Sequence, residues 1–172
     1  MELKHCIRTI QDFPKKGINF FDITTLVKNK DAFAYAVDLF YERYKNIKID
    51  KIVSAESRGF IFGAPLAYKL NCGFVLARKP GKLPAESISE SYSLEYGTNS
   101  IEIHKDAISK SEKVLIIDDL LATGGTIKAL VNLVNRLEGD IVGLAFLIEL
   151  ASLKGRDTLK KYDIFSLLTY ED

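Results

Sequence analysis

Hydrophobic positions in this chain form two patterns, short continuous runs and longer stretches with a helical repeat. The continuous runs predict buried strands at Lys51–Ala55, Gly73–Ala77, Val114–Ile117, Ile141–Ile148 and Ile164–Leu168. Apolar residues that recur every three or four positions predict helices over residues 31–44, 59–70 and 126–137, the first of them capped by Asp31. Because these strands alternate with amphipathic helices, the sequence predicts an α/β fold with a central, mainly parallel sheet flanked by helices.

One segment, residues 79–103, departs from this alternation. It begins with a stretch rich in proline, glycine and serine, and then Tyr92, Leu94 and Tyr96 alternate with polar residues. Gly97–Asn99 has the composition of a turn. The segment therefore predicts a mobile loop followed by a β-hairpin that stands apart from the parallel sheet.

The most informative stretch is VLIIDDLLATGGT, residues 114–126. Gly124 and Gly125 allow the backbone to approach an anion closely, and the helix that follows presents free N–H groups and the positive end of its dipole. This arrangement predicts a cradle for one phosphate, although a Gly-Gly pair alone is more often a tight turn. The adjacent Asp118 and Asp119 suit sugar hydroxyls, or a magnesium ion held through water. No lysine follows the glycines and no Gly-x-Gly-x-x-Gly is present, so neither common nucleotide fingerprint applies.

That stretch resembles the phosphoribosyl pyrophosphate (PRPP) motif of type I phosphoribosyltransferases. Five further motifs have the order and spacing of the adenine phosphoribosyltransferase branch: FPKKGINFFDIT (13–24), ESRGFIFG (56–63), RKPGKLP (78–84), SYSLEYG (91–97) and ELASLKGR (149–156). The resemblance covers essentially the whole chain. It implies a single phosphoribosyltransferase domain over residues 1–172, with a small hood partly from residues 1–30 and a flexible catalytic hairpin loop over about residues 79–103. The implied reaction joins adenine to PRPP and releases AMP and pyrophosphate.

The same resemblance implies a role for each motif. Asp118 and Asp119 would bind the ribose hydroxyls, and Ala122, Thr123, Gly124, Gly125 and Thr126 would surround the 5-phosphate. The residues Arg58, Arg78, Lys79 and Lys82 would contact pyrophosphate, with Arg78 reaching the neighbouring subunit of a homodimer. Glu95 would exchange a proton with N7 of adenine and Tyr96 would support it, whereas Glu102 does not match the family's acid. For adenine, the segment that holds Asn19 and Phe21 resembles the family's base-contacting region, and Leu120 and Leu150 are candidate apolar walls for a flat purine by their own chemistry. Mg²⁺ would arrive bound to the substrate, with no direct protein side-chain ligand.

Two alternatives stay open at this point. One is transfer to another base, which the motifs at 78–84 and 91–97 disfavour but which Phe21 keeps open, because the family usually carries Arg or Lys there. The other is a regulator that binds PRPP without turnover. It would need a DNA-binding segment, and the few residues before Ile18 leave no room for one.

Composition narrows the remaining classes. Lysine and arginine total 24 and aspartate and glutamate total 23, so a net charge of +1 disfavours nucleic acid and anionic membrane as partners. Cys6 and Cys72 are too few for a disulfide framework or a zinc site, which predicts reduced thiols and a cytoplasmic location. The apolar region at residues 59–77 is interrupted by proline, lysine and asparagine, so we expect no membrane span.

Overall fold

The computed structural model describes residues 1–94 and 97–171, and a parallel sheet forms its centre. The strands are β1 (Arg8–Ile10), β2 (Phe20–Asp22), β3 (Lys51–Ala55), β4 (Gly73–Ala77), β5 (Ser87–Leu94), β6 (Gly97–His104), β7 (Lys113–Leu121), β8 (Asp140–Leu150) and β9 (Ile164–Tyr170). The α-helices are α1 (Thr24–Val27), α2 (Lys30–Tyr44), α3 (Arg58–Leu70) and α4 (Gly125–Arg136), and short 3-10 helices cover Leu3–Cys6, Ala151–Leu153 and Gly155–Leu159. The central sheet has five strands in the order β4-β3-β7-β8-β9, all paired in parallel. The predicted fold class is confirmed.

Strand β7 is longer than the apolar run that predicted it. We expected it to end at the two aspartates, but it continues to Leu121, so that expectation was wrong. The reason is pairing with β8, in which Asp118 lies opposite Phe146 and Leu121 lies opposite Glu149. The aspartates are therefore held by the ladder of the sheet rather than by a loop.

Two apolar layers cover the faces of the sheet. Ile52, Leu115 and Ile117 face α2 and α3, while Val114 and Ile116 face α4, as expected for strands buried on both sides. At the start of α2 the side chain of Asn29 accepts hydrogen bonds from the N–H groups of Asp31 and Ala32. Asn29 is thus the cap, and the prediction of Asp31 in that position was wrong.

Strands β5 and β6 form the predicted antiparallel hairpin, in a sheet of its own. Ile101 and Ile103 are buried, and the hairpin packs against α4. The predicted turn at Gly97–Asn99 was wrong, because these residues belong to β6 and lie opposite Leu94, Ser93 and Tyr92. A bridge between Arg78 and Glu102 connects the hairpin to the end of β4.

The N-terminal residues form a small two-stranded sheet of β1 and β2. Arg8 and Asp22 pair across it, with Arg8 Nη2 2.5 Å from Asp22 Oδ2. Thr24 and Arg8 donate hydrogen bonds to Asp22 and lower the pKa of its carboxyl to about 2. Over the described residues, we find no helix with the length and hydrophobicity to cross a membrane.

Candidate active site

The predicted phosphate loop follows β7 directly and ends in the first turn of α4. Gly124 adopts the left-handed conformation, with φ of +86°, and α4 begins at Gly125. A Cβ atom at position 124 would lie 3.0 Å from the carbonyl oxygen of Gly155 and 3.0 Å from Oγ1 of Thr158, so the site requires glycine on two grounds. The first N–H groups of a helix have no partner within it, and here they follow this tight turn. The loop is therefore built to accept an anion.

The two aspartates lie just before this loop, and the second of them pairs with a cation. Nε of Arg58, the first residue of α3, lies 2.8 Å from Oδ2 of the buried Asp119. Oδ1 of Asp118 accepts a hydrogen bond of 2.9 Å from the N–H of Asp119. Gly59 permits this packing, because a Cβ there would lie 2.8 Å from Oδ1 of Asp118.

Burial and the negative charge of Asp119 both raise the pKa of Asp118 well above its usual value. Burial also raises the pKa of Asp119, and the Arg58 guanidinium opposes that shift. Desolvated carboxylates gain most from new hydrogen-bond donors. The pair is therefore suited to binding hydroxyl groups of a ligand.

The phosphate loop, the two aspartates and Arg58 line two neighbouring cavities. The first, of about 250 Å³, is lined by Arg58, Tyr92, Ser93, Asp118, Asp119, Leu120 and residues 122–127. The second, of about 190 Å³, is lined by Ala55, Glu56, Ser57, Arg58, Lys79, Tyr92, Ser100, Ile101, Asp118, Asp119 and Thr126. The structure thus brings the phosphate loop, both aspartates, Arg58 and Lys79 together. Tyr92 of the hairpin lines both cavities, a position that its strand periodicity alone did not reveal.

The other predicted cations lie beside this site. Nε of Arg78 lies 3.1 Å from Oε2 of Glu56, which also accepts a 2.8 Å hydrogen bond from the N–H of Lys79. The Lys79 bond, with the Arg78 bond and charge, lowers the pKa of Glu56. Arg78 and Lys82 line a separate cavity of about 370 Å³ with His104. Glu56 therefore holds the basic loop, a role that its place in the sequence did not indicate.

Two adjacent phenylalanines of β2 occupy different surroundings. Phe21 is only 9% exposed, and its ring centroid lies 4.1 Å from that of Tyr170. The ring of Phe20 instead lies 5.6 Å from the guanidinium carbon of Arg58 and meets Phe13 edge to face. Alternation along a strand sends neighbouring side chains to opposite faces. Alternation therefore separates Phe20 from Phe21, but only the folded structure shows that Phe20 is the one next to the site.

The remaining predicted residues are dispersed. Asn19 is exposed in the N-terminal segment, Leu120 lines the first cavity, and Leu150 packs partly buried against the core. Glu95 and Tyr96, the predicted proton-transfer residue and its support, lie outside the described residues, between β5 and β6.

Comparison with known proteins relates this geometry to a family. Residues 22–171 match the family model of the phosphoribosyl transferase domain. The adenine phosphoribosyltransferase of Halothermothrix orenii is 62% identical over 168 residues, which cover 98% of this chain and 99% of that protein. The chain belongs to the adenine phosphoribosyltransferase family.

Solved structures of adenine phosphoribosyltransferases agree with this membership. The one from Thermoanaerobacter pseudethanolicus superposes with a TM-score of 0.95 at 54% identity and covers 98% of each chain. The one from Saccharomyces cerevisiae, complexed with an imino-altritol bisphosphate and adenine, superposes with a TM-score of 0.92 at 42% identity and covers 96% of each chain. The fold of this phosphoribosyltransferase is thus shared over nearly its whole length.

In the present member of the adenine phosphoribosyltransferase family, the candidate site is divided into regions of different charge. The phosphate loop offers N–H donors, Asp118 and Asp119 offer acceptors, and Arg58 and Lys79 offer positive charge within the same pair of cavities. A ligand with a phosphate at one end, hydroxyls in the middle and further anionic groups beyond them is complementary to this order.

Proposed function

We propose that this protein transfers the 5-phosphoribosyl group from PRPP to adenine, giving AMP and pyrophosphate in purine salvage. The observation that carries the proposal is the single site in which the phosphate loop, the paired aspartates and Arg58 meet. Membership of the adenine phosphoribosyltransferase family supports the choice of reaction.

In this proposal the substrate's ribose phosphate lies along the end of β7. Residues Ala122, Thr123, Gly124, Gly125 and Thr126 bind the 5-phosphate through backbone N–H groups and the threonine hydroxyls. Asp118 and Asp119 accept hydrogen bonds from the ribose hydroxyls. Their charge also favours the positive charge that builds on the ribose as the bond to pyrophosphate breaks.

The leaving pyrophosphate is bound by cations. Arg58 and Lys79 line the site, and Arg78 and Lys82 adjoin it across the Glu56 contact. Negative charge grows on the leaving group in the transition state, so these residues stabilise that state more than the bound substrate. Pyrophosphate affinity should accordingly depend on all four residues.

We propose that Mg²⁺ is bound mainly by oxygens of PRPP, where it neutralises charge on the pyrophosphate. In the described part of the chain, no group of three or more histidine, cysteine, aspartate or glutamate residues is arranged to hold a metal ion. Asp118 and Asp119 would contact the ion only through water.

The adenine ring is assigned to the region between the hood and the phosphate loop. Leu120 and Phe20 offer apolar surface there, and Asn19, Phe21 and Leu150 are the other residues that the sequence suggests for the base. Since Phe21 packs on Tyr170, its contribution is to the shape of the hood. Glu95 would exchange the N7 proton as N9 bonds to ribose, with support from Tyr96.

We further propose a cytoplasmic homodimer. Cys6 and Cys72 are free thiols, in keeping with a reducing compartment. Strand β4 lies at an edge of the sheet, where Leu76 is 45% exposed, and Tyr68 on the preceding helix is 87% exposed. Light scattering on the purified protein tests the oligomeric state, and a fully active monomer would contradict the homodimer.

The direct test of the reaction is a base-selectivity assay. Purified protein with PRPP and Mg²⁺ should release pyrophosphate with adenine and form AMP, and should turn over hypoxanthine or guanine far more slowly. Equal turnover with those bases would overturn the adenine assignment. Tight PRPP binding with no turnover on any base would instead indicate a regulator.

A further inference from the structure

An ion pair between the buried Glu149 and the half-exposed Arg156 lies beside the phosphate loop, within the motif ELASLKGR. Glu149 is the last residue but one of β8, with only 5% of its surface exposed. Arg156 contacts it through two bonds, Nε to Oε1 at 2.8 Å and Nη2 to Oε2 at 2.5 Å. Ser166 of β9 donates a third hydrogen bond of 2.8 Å to Oε2, and Arg156 Nη1 reaches the carbonyl oxygen of Ile164. These charge-assisted bonds connect Arg156 to both β8 and β9.

Gly155, the residue before Arg156, connects the ion pair to the phosphate loop. Gly155 is buried so closely against the loop that a Cβ there would lie 2.2 Å from the carbonyl oxygen of Ala122. Thr158 donates a 2.9 Å hydrogen bond to the carbonyl oxygen of Gly155, and that same oxygen is the near neighbour of Gly124. The turn at residues 155–158 therefore supports the loop from behind.

Neither end of the ion pair lines either cavity of the candidate site. A hydrogen bond from Arg156 is the main cause of a lowered pKa of Glu149, and a hydrogen bond from Ser166 adds to it, so the carboxylate stays charged at neutral pH. A buried carboxylate that lost its arginine would lack a compensating charge, and its surroundings would rearrange. The rearrangement would reach Ala122 and Gly124 through Gly155.

We propose that Glu149, Arg156 and Ser166 form a clamp that sets the backbone geometry of the phosphate loop, with Gly155 as the contact between them. These are positioning residues that act through Ala122–Gly125. The proposal rests on the assignment of that loop to the 5-phosphate. Because the contact is local, the clamp governs the phosphate end of the site and leaves the adenine and pyrophosphate ends unaffected.

The test uses Arg156→Gln, with Arg43→Gln as the matched control. Arg43 also pairs with an aspartate, Nη2 lying 2.6 Å from Oδ2 of Asp163, and lines none of the site cavities. We expect Arg156→Gln to raise the KM for PRPP by ~10- to 100-fold, the range for a displaced binding group, and to leave the KM for adenine unchanged. Ser166→Ala, a milder change, should raise the PRPP KM less, and Arg43→Gln should change neither value.

Calorimetry separates the clamp from the reaction itself. Arg156→Gln should weaken binding of ribose 5-phosphate by the same factor as it raises the PRPP KM, and leave pyrophosphate binding unchanged. Unchanged ribose 5-phosphate affinity in both Arg156→Gln and Ser166→Ala would overturn the clamp, as would an equal rise in the KM of both substrates. If the wild-type protein turned over no base, the proposed reaction would fail, yet ribose 5-phosphate titrations would still decide the clamp. If Arg156→Gln did not fold, the Ser166→Ala titration would decide it.

Discussion

Replacing Gly124 by alanine tests whether the phosphate loop needs its backbone geometry. The backbone there has φ of +86°, which costs an L-residue about 1–2 kcal/mol relative to glycine. The new Cβ would also lie 3.0 Å from the carbonyl oxygen of Gly155, and crowding of a packed site adds roughly 1–3 kcal/mol. The free energy of unfolding should therefore fall by about 2–5 kcal/mol, or the loop should shift to relieve part of that cost.

Gly17 provides a control for the backbone contribution. Its φ is +87°, and a Cβ there would meet no atom within 4 Å. Gly17→Ala should therefore lose only the backbone part, about 1–2 kcal/mol, and keep the wild-type KM for PRPP. Gly124→Ala should lose more stability, or raise the PRPP KM by ~10-fold or more if the loop shifts.

The measurements are denaturant unfolding of both variants and steady-state kinetics with PRPP varied at saturating adenine. If Gly124→Ala matched Gly17→Ala in both unfolding free energy and PRPP KM, the contact of position 124 with Gly155 would have no part in shaping the loop. A shifted loop predicts a specific split, with the stability loss small and the KM effect large.

Three further changes test other parts of the site. Glu95→Gln should lower kcat by up to about 10⁴-fold, the range for a proton-transfer group. Glu102→Gln is the control and should leave kcat unchanged. An unaffected kcat in Glu95→Gln would remove Glu95 from the mechanism. The pKa of Asp118 is raised, so its ionisation lowers the stability of the folded protein as pH rises. Asp118→Asn should therefore raise the unfolding free energy at neutral pH, on the order of 0.5–2 kcal/mol. The same change should weaken PRPP binding. The same shift predicts that wild-type kcat/KM for PRPP falls as acid protonates Asp118, and a flat acid limb would contradict it. Phe20→Ala should raise the KM for adenine more than the KM for PRPP, and the reverse order in steady-state kinetics would exclude Phe20 from the base site.

The sheet could be predicted because its strands are buried on both faces. Continuous apolar runs at residues 51–55 and 73–77 have no other simple explanation when helices separate them, and both strands were predicted with their observed bounds. The end of β7 could not be predicted in the same way. Asp118 and Asp119 stay in the strand because β8 pairs with Asp118 and with the two leucines that follow, and that pairing depends on a partner far away in the sequence.

In the candidate site too, features built from consecutive residues could be predicted, and features that depend on distant pairings could not. The phosphate loop is local, so its glycines and the helix that follows were readable from consecutive residues. The pairings of Arg58 with Asp119 and of Arg78 with Glu56 join different strand ends, and several combinations of charges were equally consistent with the sequence. The choice between Phe20 and Phe21 needed the pairing of β2 with β1, which a three-residue strand is too short to reveal.

The Arg58–Asp119 pair also resolves an electrostatic conflict in the site. In the proposed site, two adjacent carboxylates would repel an anionic substrate, yet its ribose hydroxyls would need acceptors at that point. Arg58 offsets one carboxylate at 2.8 Å and remains 39% exposed, so in the proposed site its guanidinium could also donate to a bound phosphate. One guanidinium can thus reduce the repulsion from the aspartates and bind the leaving group. The near-zero net charge of the whole chain is consistent with this proposal, in which the site places opposite charges side by side and needs no excess of either.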